Sequence, residues 1–283
     1  MFSATDVIIF LNKFFPKSEH PFNLQNEGKM TYAQWEYTHG ANAIACFADC
    51  CTPEAMFKDK NVLDMGCGAG GKSMYFVSVG AKHVTGVDIV ESYAEESRVF
   101  AEELVYEDRF TFVCASAFEL PFEDNSFDTI IMNDFFEHVS DPAGALREAL
   151  RVLTSGGRIY MNFPPYYHPQ GAHMTDVISI PWVQLFFTEK QLIAAYKHLV
   201  KGLPDEEMRL SFRFSKDENG VERYTYINHM TLSRAKKIIK EVGVKPEFYE
   251  EIPLKKSYPF LAKIPVLKEM FVYFGVYVIR KPR

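Results

Sequence analysis

The sequence predicts an α/β protein with a doubly wound parallel sheet. Three observations favour this fold class: short apolar runs alternate with helical segments between residues 61 and 163, a glycine-rich turn follows the first run, and an acidic residue ends the second. Strands that alternate with helices at this interval are typical of βαβ units with right-handed crossovers. We therefore expect a Rossmann-like sheet whose first turn approaches a ligand.

The central part of the chain supplies the elements of this sheet. Its apolar runs predict strands at residues 61–65, 83–87, 110–114, 127–132 and 158–163. The segments between them predict helices at residues 72–79, 91–104 and 142–153. Glycines at the ends of two of these helices, Gly80 and the pair Gly156-Gly157, are typical stop signals.

We divide the chain into four parts. Residues 1–58 are predicted to form an N-terminal helical cap, with one helix over 32–50, and residues 59–163 the ligand-binding core. Residues 164–230 form an aromatic insertion with a helix at 191–200 and a hairpin at 209–226 that turns at Asn219-Gly220. Residues 231–283 return to the sheet with a helix at 232–242 and strands at 245–252 and 271–279. An insertion after the fifth strand lies at the ligand crevice of such a sheet, so we expect a lid.

Composition and charge indicate which classes of ligand, metal content and location to expect. Of 283 residues, 47% are hydrophobic and the formal net charge is −6, which favours a small-molecule acceptor over nucleic acid. The five cysteines show no recurring zinc spacing, so we expect reduced thiols in a cytoplasmic protein and no metal. Residues 1–15 lack the features of a signal peptide, and no run of about 18 uncharged apolar residues predicts membrane insertion. Aromatic residues at both ends would suit a homodimer.

The glycine-rich turn satisfies three patterns at once. Residues 62–73 read VLDMGCGAGGKS. This string contains the dinucleotide pattern G-x-G-x-x-G, the P-loop pattern G-x4-G-K-S, and D-x-G-x-G-x-G. The residues of the last pattern are Asp64, Gly66, Gly68 and Gly70.

Charge favours one of these patterns over the others. Phosphate groups seek backbone N–H donors and a helix N-terminus, and a carboxylate two residues before the first glycine repels them. A like charge at ~4–6 Å costs on the order of a kcal/mol. Asp64 instead suits a ligand with an ammonium and a sulfonium group, and Asp88, at the end of the second strand, can take two ribose hydroxyls. Dinucleotide and nucleoside triphosphate ligands stay open as the less favoured alternatives.

Residues 61–163 resemble the core of class I S-adenosylmethionine-dependent methyltransferases. The resemblance rests on VLDMGCGAG at 62–70, VTGVDI at 84–89, ASAFELPFEDNSFD at 115–128, and EHV at 137–139 with the helix behind it. It implies that Asp64 and Gly66 line the methionine end of the cofactor and that Asp88 binds its ribose. The remaining implied cofactor contacts are Ile89 on the adenine face, Ser116 and Ala117 at the adenine edge, and Asn133 near the sulfonium. Many relatives have Asp at the position of Ser116, whose hydroxyl can also accept a hydrogen bond.

Two segments offer residues for the chemistry. Glu137 and His138 follow the fourth strand, although His138 could also simply pack over the cofactor. Residues 163–189 resemble polyketide-type O-methyltransferases, which implies a His–Glu pair as the base. We expect His173 as the base, with His168 second, and Glu137 or Glu222 as its partner.

Aromatic residues of the insertion suit an apolar acceptor. Tyr166, Tyr167 and Trp182 are the candidate substrate-binding residues. The favoured function is O-methylation of a small apolar or polyketide-like acceptor with a histidine general base. Two alternatives stay open: C-methylation of a quinone or lipid, suggested by LPFEDNSFD at 120–128, and a non-catalytic S-adenosylmethionine-binding module.

Overall fold

The computed structural model describes residues 3–255, 260–265 and 267–283. The helices are α1 (Ala4–Asn12), α2 (Pro21–Asn26), α3 (Tyr32–Thr38), α4 (Gly40–Ala45), α5 (Pro53–Phe57), α6 (Gly71–Ser78), α7 (Tyr93–Glu103), α8 (Pro142–Val152), α9 (Val183–Phe186), α10 (Glu189–Val200), α11 (Glu206–Arg213), α12 (Leu232–Val242) and α13 (Lys268–Phe271). The strands are β1 (Asn61–Met65), β2 (His83–Asp88), β3 (Phe110–Cys114), β4 (Phe127–Asn133), β5 (Leu153–Phe163), β6 (Phe214–Lys216), β7 (Glu222–Tyr224), β8 (Pro246–Pro253) and β9 (Val272–Arg280).

Seven strands form one sheet in the order β3-β2-β1-β4-β5-β9-β8. The strands β1 to β5 pair in parallel, and β9 lies antiparallel between β5 and β8. The strand order reverses between β1 and β4, which is where a doubly wound sheet binds its ligand. The predicted α/β fold class is confirmed, and β1 and β3 span the predicted residues.

Buried side chains cover both faces of the sheet. Because side chains alternate along a strand, neighbours such as Ile130 and Ile131 belong to different hydrophobic clusters. Helices α8 and α12 add Leu146 and Ile238 to one cluster, and α6 adds Phe76 to the other. The carboxyl ends of β1, β2, β4 and β5 are thereby held at one edge of the sheet.

The insertion between β5 and α12 has a hydrophobic cluster of its own. Ile193 and Tyr196 of α10 pack there with Ile178 and Tyr224. Ile8 of α1 belongs to the same cluster and is fully buried. The N-terminal helix is therefore joined to the insertion through apolar contacts.

The prediction of a single helix over residues 32–50 is wrong. The chain forms α3 and α4, which are separated at His39. A Cβ atom on Gly40 would lie 2.3 Å from the ring of Tyr75 in α6. Gly40, the first residue of α4, therefore packs closely on α6, a contact that the sequence pattern does not reveal.

The predicted hairpin over residues 209–226 is too long. Its first part is helical and belongs to α11, so that only β6 and β7 form the hairpin. Arg209 and Arg213 are four residues apart, and helical spacing brings both guanidinium groups to Asp176. The turn is as expected, since the Asp217 carboxylate accepts hydrogen bonds from the N–H groups of Asn219 and Val221.

The five cysteines are free thiols. Cys46 lies 3.1 Å from the side-chain amide of Asn162, and Cys51 lies 3.5 Å from the hydroxyl of Tyr160. In the described ranges, no helix has the length and apolar character that crossing a membrane requires.

Candidate active site

The glycine-rich turn joins β1 to α6 in a conformation that glycine favours. Gly66, Gly68 and Gly70 have φ angles of +75°, +56° and +80°. A Cβ atom on Gly66 would lie 2.5 Å from the ring of Phe135, and one on Gly70 would lie 2.7 Å from the ring of Phe110. The turn therefore needs glycine both for its backbone conformation and for its close contacts.

Asp64 lies beneath this turn rather than at its surface. Its side chain is buried, and its Oδ2 accepts a hydrogen bond of 2.6 Å from the hydroxyl of Ser73 in α6. Burial raises the pKa of Asp64 to about 6, although the bond from Ser73 and the charge of Lys72 lower it. A bound cation would favour the ionised carboxylate.

Asp88 connects the end of β2 to the glycine turn. Its two carboxylate oxygens accept hydrogen bonds of 3.0 Å from the N–H groups of Gly68 and Val90. Burial raises the pKa of Asp88, and these backbone bonds oppose that shift. The side chain of Ile89, the next residue, is 75% exposed, so an apolar surface stands beside the carboxylate.

Ser116 and Ala117 follow β3, the neighbour of β2. The hydroxyl oxygen of Ser116 accepts a bond of 3.2 Å from the N–H of Phe118. Ala117 packs against the core cluster on one face of the sheet. The two residues are thus fixed at the same edge of the sheet as Asp88.

Glu36 of α3 is a site residue that sequence reasoning missed. It is buried, its Oε2 accepts a bond of 3.3 Å from the N–H of Gly71, and its Oε1 closely approaches Gly68. Burial raises the pKa of Glu36 to about 8, while Lys72 lowers it. A glutamate in a helical segment far from the glycine turn carries no local signal of this contact.

Asn133 is held in a polar network at the ends of β4 and β5. Its Oδ1 accepts a bond of 2.6 Å from Asn162, and its amide group donates to Asp134 over 3.1 Å. The carboxylate of Asp134 also lies 3.5 Å from Nζ of Lys72. The lysine that completes the P-loop pattern is therefore paired with a carboxylate of the protein itself.

A cavity of about 220 Å³ opens beside this network. Asp134 and Pro164 line it from the sheet edge, and Tyr273 and Phe274 line it from β9. The other lining residues belong to the N-terminal segment and the insertion: His20, His168, Gln170, His173, Thr175, Arg213 and Tyr226.

Glu137, His138 and His173 form a cluster at this cavity, which we call the Glu–His–His cluster. Their potential ligand atoms lie within 4.8 Å of one another. The rings of His138 and His173 are 4.9 Å apart in an edge-to-face arrangement. His173 has a φ of +49°, a strained conformation for a histidine and one that occurs at functional sites.

Burial disfavours the charged form of each group in this cluster. It lowers the pKa of His138 to about 4 and that of His173 well below its usual value. Burial also raises the pKa of Glu137 well above the ordinary value for a carboxyl group. Both histidines therefore offer free lone pairs at neutral pH.

The other two catalytic candidates, His168 and Glu222, lie in different parts of the structure. His168 lines the cavity, and burial lowers its pKa to about 4. Glu222 instead lies in β7, where its carboxylate pairs with Lys197 at 3.0 Å on a solvent-exposed surface. Of the two expected partners for His173, only Glu137 lies near it.

The three aromatic candidates do not line the cavity. Tyr166 packs on His229 with ring centroids 4.3 Å apart, Tyr167 is 41% exposed, and Trp182 packs on Phe271. Tyr226 and Tyr273 are the tyrosines that the cavity wall contains.

Arg213 is a further residue of the cavity that sequence reasoning missed. It is buried, its Nη2 lies 3.2 Å from Asp176, and its guanidinium centre lies 4.9 Å from the ring of Tyr196. Its Nε and Nη1 atoms have no hydrogen-bond partner among the described residues. An acceptor molecule with an oxygen at this wall could satisfy them.

Comparison with known proteins concerns mainly the central part of the chain. A family model described as a methyltransferase domain matches residues 63–161, which run from β1 to β5. The chain is 36% identical over 98 residues to the 27-O-demethylrifamycin SV methyltransferase of Amycolatopsis mediterranei, covering 35% of the chain and 36% of the relative. It is 38% identical over 157 residues to a ubiquinone/menaquinone biosynthesis C-methyltransferase of Roseobacter denitrificans, covering 52% of the chain and 62% of the relative.

The solved structures agree on the fold. A SAM-dependent methyltransferase from Methanosarcina mazei has a TM-score of 0.52 and 19% identity, over 84% of this chain and 97% of its own. The matching region spans less than two thirds of the length of the curated relatives. Residues 63–161 thus match a methyltransferase domain, and the fold is that of S-adenosylmethionine-dependent methyltransferases.

The residues at the sheet edge fit S-adenosylmethionine, the cofactor of this class. Three glycines let a ligand approach the backbone, Asp88 presents a carboxylate, and Ile89 presents an exposed apolar side chain. Asp64 and Glu36 surround the turn with further carboxyl groups, which suit a cationic ligand better than a phosphate.

Proposed function

We propose that this protein is a methyltransferase that methylates a hydroxyl or enol oxygen of a small apolar acceptor. The observation that carries the proposal is the position of His173 beside Glu137 in the wall of the cavity at the sheet edge. The mixed aromatic and polar lining of the cavity suits a compact acceptor, and the insertion would act as its lid. S-adenosylmethionine, when bound, supplies the activated methyl group.

The residues of the sheet edge would hold the cofactor. Asp88 would bind the ribose hydroxyls, Ile89 would pack on the adenine, and Ser116 with Ala117 would flank the adenine edge. Asn133 would face the methionine end of the cofactor, and the charge of Asp64 would act on it from beneath the turn. Glu36 and Lys72 would fix the turn from beneath, through Gly71 and Asp134.

His173 would act as the general base. A neutral hydroxyl is a poor nucleophile, so its proton must leave as the oxygen–methyl bond forms. The neutral imidazole would accept that proton. The positive charge of the imidazolium would lower the pKa of Glu137, and the ionised carboxylate would then stabilise it. Alignment of the oxygen with the methyl group would supply much of the remaining acceleration.

Mass spectrometry with methyl-deuterated S-adenosylmethionine and a panel of phenols and enols tests this function. His173→Asn should lower turnover by about 10²–10⁴ and leave cofactor binding intact, because asparagine tolerates a positive φ but is not a base. His229→Asn is a matched control, since His229 also has a positive φ of 56° and does not line the cavity. Unchanged turnover in His173→Asn would contradict the role of this histidine.

C-methylation is the second candidate. The similarity to a quinone C-methyltransferase favours it, because that relative matches the longest stretch of the chain among those described above. Strong acid cleaves the labelled methyl group from a methyl ether, whereas a labelled C-methyl group stays on the carbon skeleton. Loss or retention of the label after acid treatment therefore distinguishes the two candidates.

A further inference from the structure

The carboxyl group of Glu137 has an unusual environment. Its side chain is buried, and neither oxygen has a hydrogen-bond partner among the described residues. A buried polar group without a partner is energetically unfavourable. The nearest nitrogen is Nε2 of His138 at 3.7 Å, which is longer than a hydrogen bond.

The ring of His138 is oriented for a further interaction. Its Nδ1 lies 2.9 Å from the carbonyl oxygen of Tyr226, to which the Nδ1–H donates. The free lone pair of the ring is then on Nε2, the atom nearest to Glu137. A histidine that coordinates a metal ion through one ring nitrogen usually donates the N–H of its other ring nitrogen to an acceptor such as a backbone carbonyl.

The spacing of the Glu–His–His cluster is close to that of a metal site. Ligands at about 2.1 Å from a tetrahedral ion are about 3.4 Å apart. Glu137 and His138 are at 3.7 Å, and the three ligand atoms lie within 4.8 Å, so closure on an ion needs side-chain movements of about 1 Å.

We propose that Glu137, His138 and His173 form a site for a divalent transition-metal ion of the Zn²⁺ type. Two neutral imidazoles and one carboxylate are a common ligand set for such ions. His173 also lines the cavity, which leaves the fourth coordination position open to water. The proton of Glu137 is released to solvent as its carboxylate coordinates the ion.

The charges around the cluster permit a cation. Lys72 and Arg213 are the nearby positive groups, and each is paired with a carboxylate, Asp134 at 3.5 Å and Asp176 at 3.2 Å. The ion would neutralise the buried carboxylate of Glu137, for which the described residues provide no donor.

Metal binding would regulate the proposed reaction. This consequence rests on the proposed function, because a ring nitrogen of His173 that coordinates an ion cannot accept the proton of the acceptor. A stoichiometric ion should therefore inhibit O-methylation, and a chelator should restore it.

Calorimetric titration of the chelator-treated protein with Zn²⁺, and absorption spectra with Co²⁺, test the site. We expect one ion per chain, with Glu137→Gln and His138→Gln lowering the affinity by at least 10²-fold and abolishing the tetrahedral Co²⁺ spectrum. His168→Gln is the matched control, because His168 lines the same cavity but lies outside the cluster. Wild-type protein that binds no Zn²⁺, or cluster variants that bind it like the wild type, would overturn the proposal.

Two further measurements distinguish loss of the metal site from loss of folding, and the metal site from its inhibitory role. S-adenosylhomocysteine binding by each variant shows that it is folded, so that a lost metal site is not lost structure. Metal binding needs no acceptor, so its outcome is independent of whether O-methylation is observed. Turnover that is unaffected by one bound equivalent of Zn²⁺ would overturn the inhibitory role alone.

Discussion

At the scale of residues, three carboxyl groups surround the glycine turn. Asp88 bonds to the N–H of Gly68, Glu36 bonds to the N–H of Gly71, and Asp64 lies beneath them. Burial raises the pKa of each, to about 6 for Asp64 and about 8 for Glu36. A cationic ligand would relieve the cost of holding these carboxylates close together.

Asp88→Asn tests the ribose-binding role. Loss of a charged hydrogen-bond acceptor costs about 1.5–3 kcal/mol, so S-adenosylhomocysteine should bind roughly 10–100-fold more weakly. The exposed Asp108→Asn, in the turn before β3, is the control and should bind as the wild type does. Calorimetry measures both, and equal affinities would contradict the assignment of Asp88.

Glu36 should make stability depend on pH. With a folded-state pKa of about 8 against an ordinary value of 4.5, the folded protein holds a proton that the unfolded chain releases in this interval. The free energy of unfolding should therefore fall between pH 5 and 8 relative to Glu36→Gln, by about 1–3 kcal/mol in total.

Urea unfolding at several pH values measures this difference. The exposed Glu54→Gln is a suitable control, because the hydrogen bond from Lys58 lowers the pKa of Glu54 and the group is at the surface. Its profile should retain the pH dependence of the wild type. Parallel profiles for the wild type and Glu36→Gln would show that the carboxyl group of Glu36 does not cause the loss.

At the scale of elements, α3 packs directly on the start of α6. A Cβ atom on Gly71 would lie 2.0 Å from the carbonyl oxygen of Ala33 and 2.8 Å from the backbone nitrogen of Tyr37. Both are backbone atoms, which cannot relieve the contact by changing rotamer as a side chain can. The N-terminal helices thus fix the glycine turn by direct contact.

Gly71→Ala should separate these two helices. Overpacking costs about 1–3 kcal/mol in well-packed interiors, and the short backbone contacts place this substitution at the upper end. Ser78→Ala, at the exposed end of the same helix, should change stability by less than about 0.5 kcal/mol. Thermal and urea unfolding measure both, and a Gly71→Ala protein as stable as Ser78→Ala would refute the close packing.

The insertion contains a buried ion network. Asp176 accepts from the hydroxyl of Tyr196 at 2.6 Å and lies 3.0 Å from Arg209 and 3.2 Å from Arg213. Asp176→Asn would leave buried guanidinium groups without a countercharge, which costs about 3–5 kcal/mol. Asp124→Asn removes an exposed partner of Arg151 and should cost less than about 1 kcal/mol. Similar losses of unfolding free energy in the two variants would contradict the energetic role of this network.

Local patterns predict the sheet but not its long-range contacts. The strands β1 and β3 begin directly after charged residues, Lys60 and Arg109, so that their starts could be read from the sequence. Arg209 and Arg213 look like residues of an exposed hairpin, because a buried arginine is recognisable only when its carboxylate partner is known. The contacts of Glu36 and Gly40 also depend on α6, which is distant in sequence.

The residues of the candidate site also fall into two groups: those whose positions the sequence predicts and those whose positions it does not. Asp64, Asp88 and the glycines follow strands at fixed spacings, and the structure brings them to one edge of the sheet. Glu137 and His173 lie close together because the ends of β4 and β5 are neighbours, so their proximity could be predicted in outline. Tyr166, Tyr167 and Trp182 have no positional signal beyond their aromatic character, and they do not line the cavity.

At the scale of the whole molecule, the N-terminal segment, the sheet and the insertion meet at one edge. His20, Asp134, His173 and Tyr273 come from four separate parts of the chain and line one cavity. The glycine turn lies near this cavity, connected through Lys72 and Asp134. This arrangement would bring a cofactor on the turn towards an acceptor in the cavity.

The glycine turn should bind S-adenosylmethionine, although its sequence also fits a dinucleotide and a nucleoside triphosphate. Calorimetric titration of the protein with S-adenosylhomocysteine, NAD⁺ and Mg²⁺-ATP in parallel distinguishes these ligands. We predict saturable binding of one S-adenosylhomocysteine per chain and no heat from the other two ligands. No binding of S-adenosylhomocysteine at millimolar concentration, or tighter binding of NAD⁺ or ATP, would contradict it.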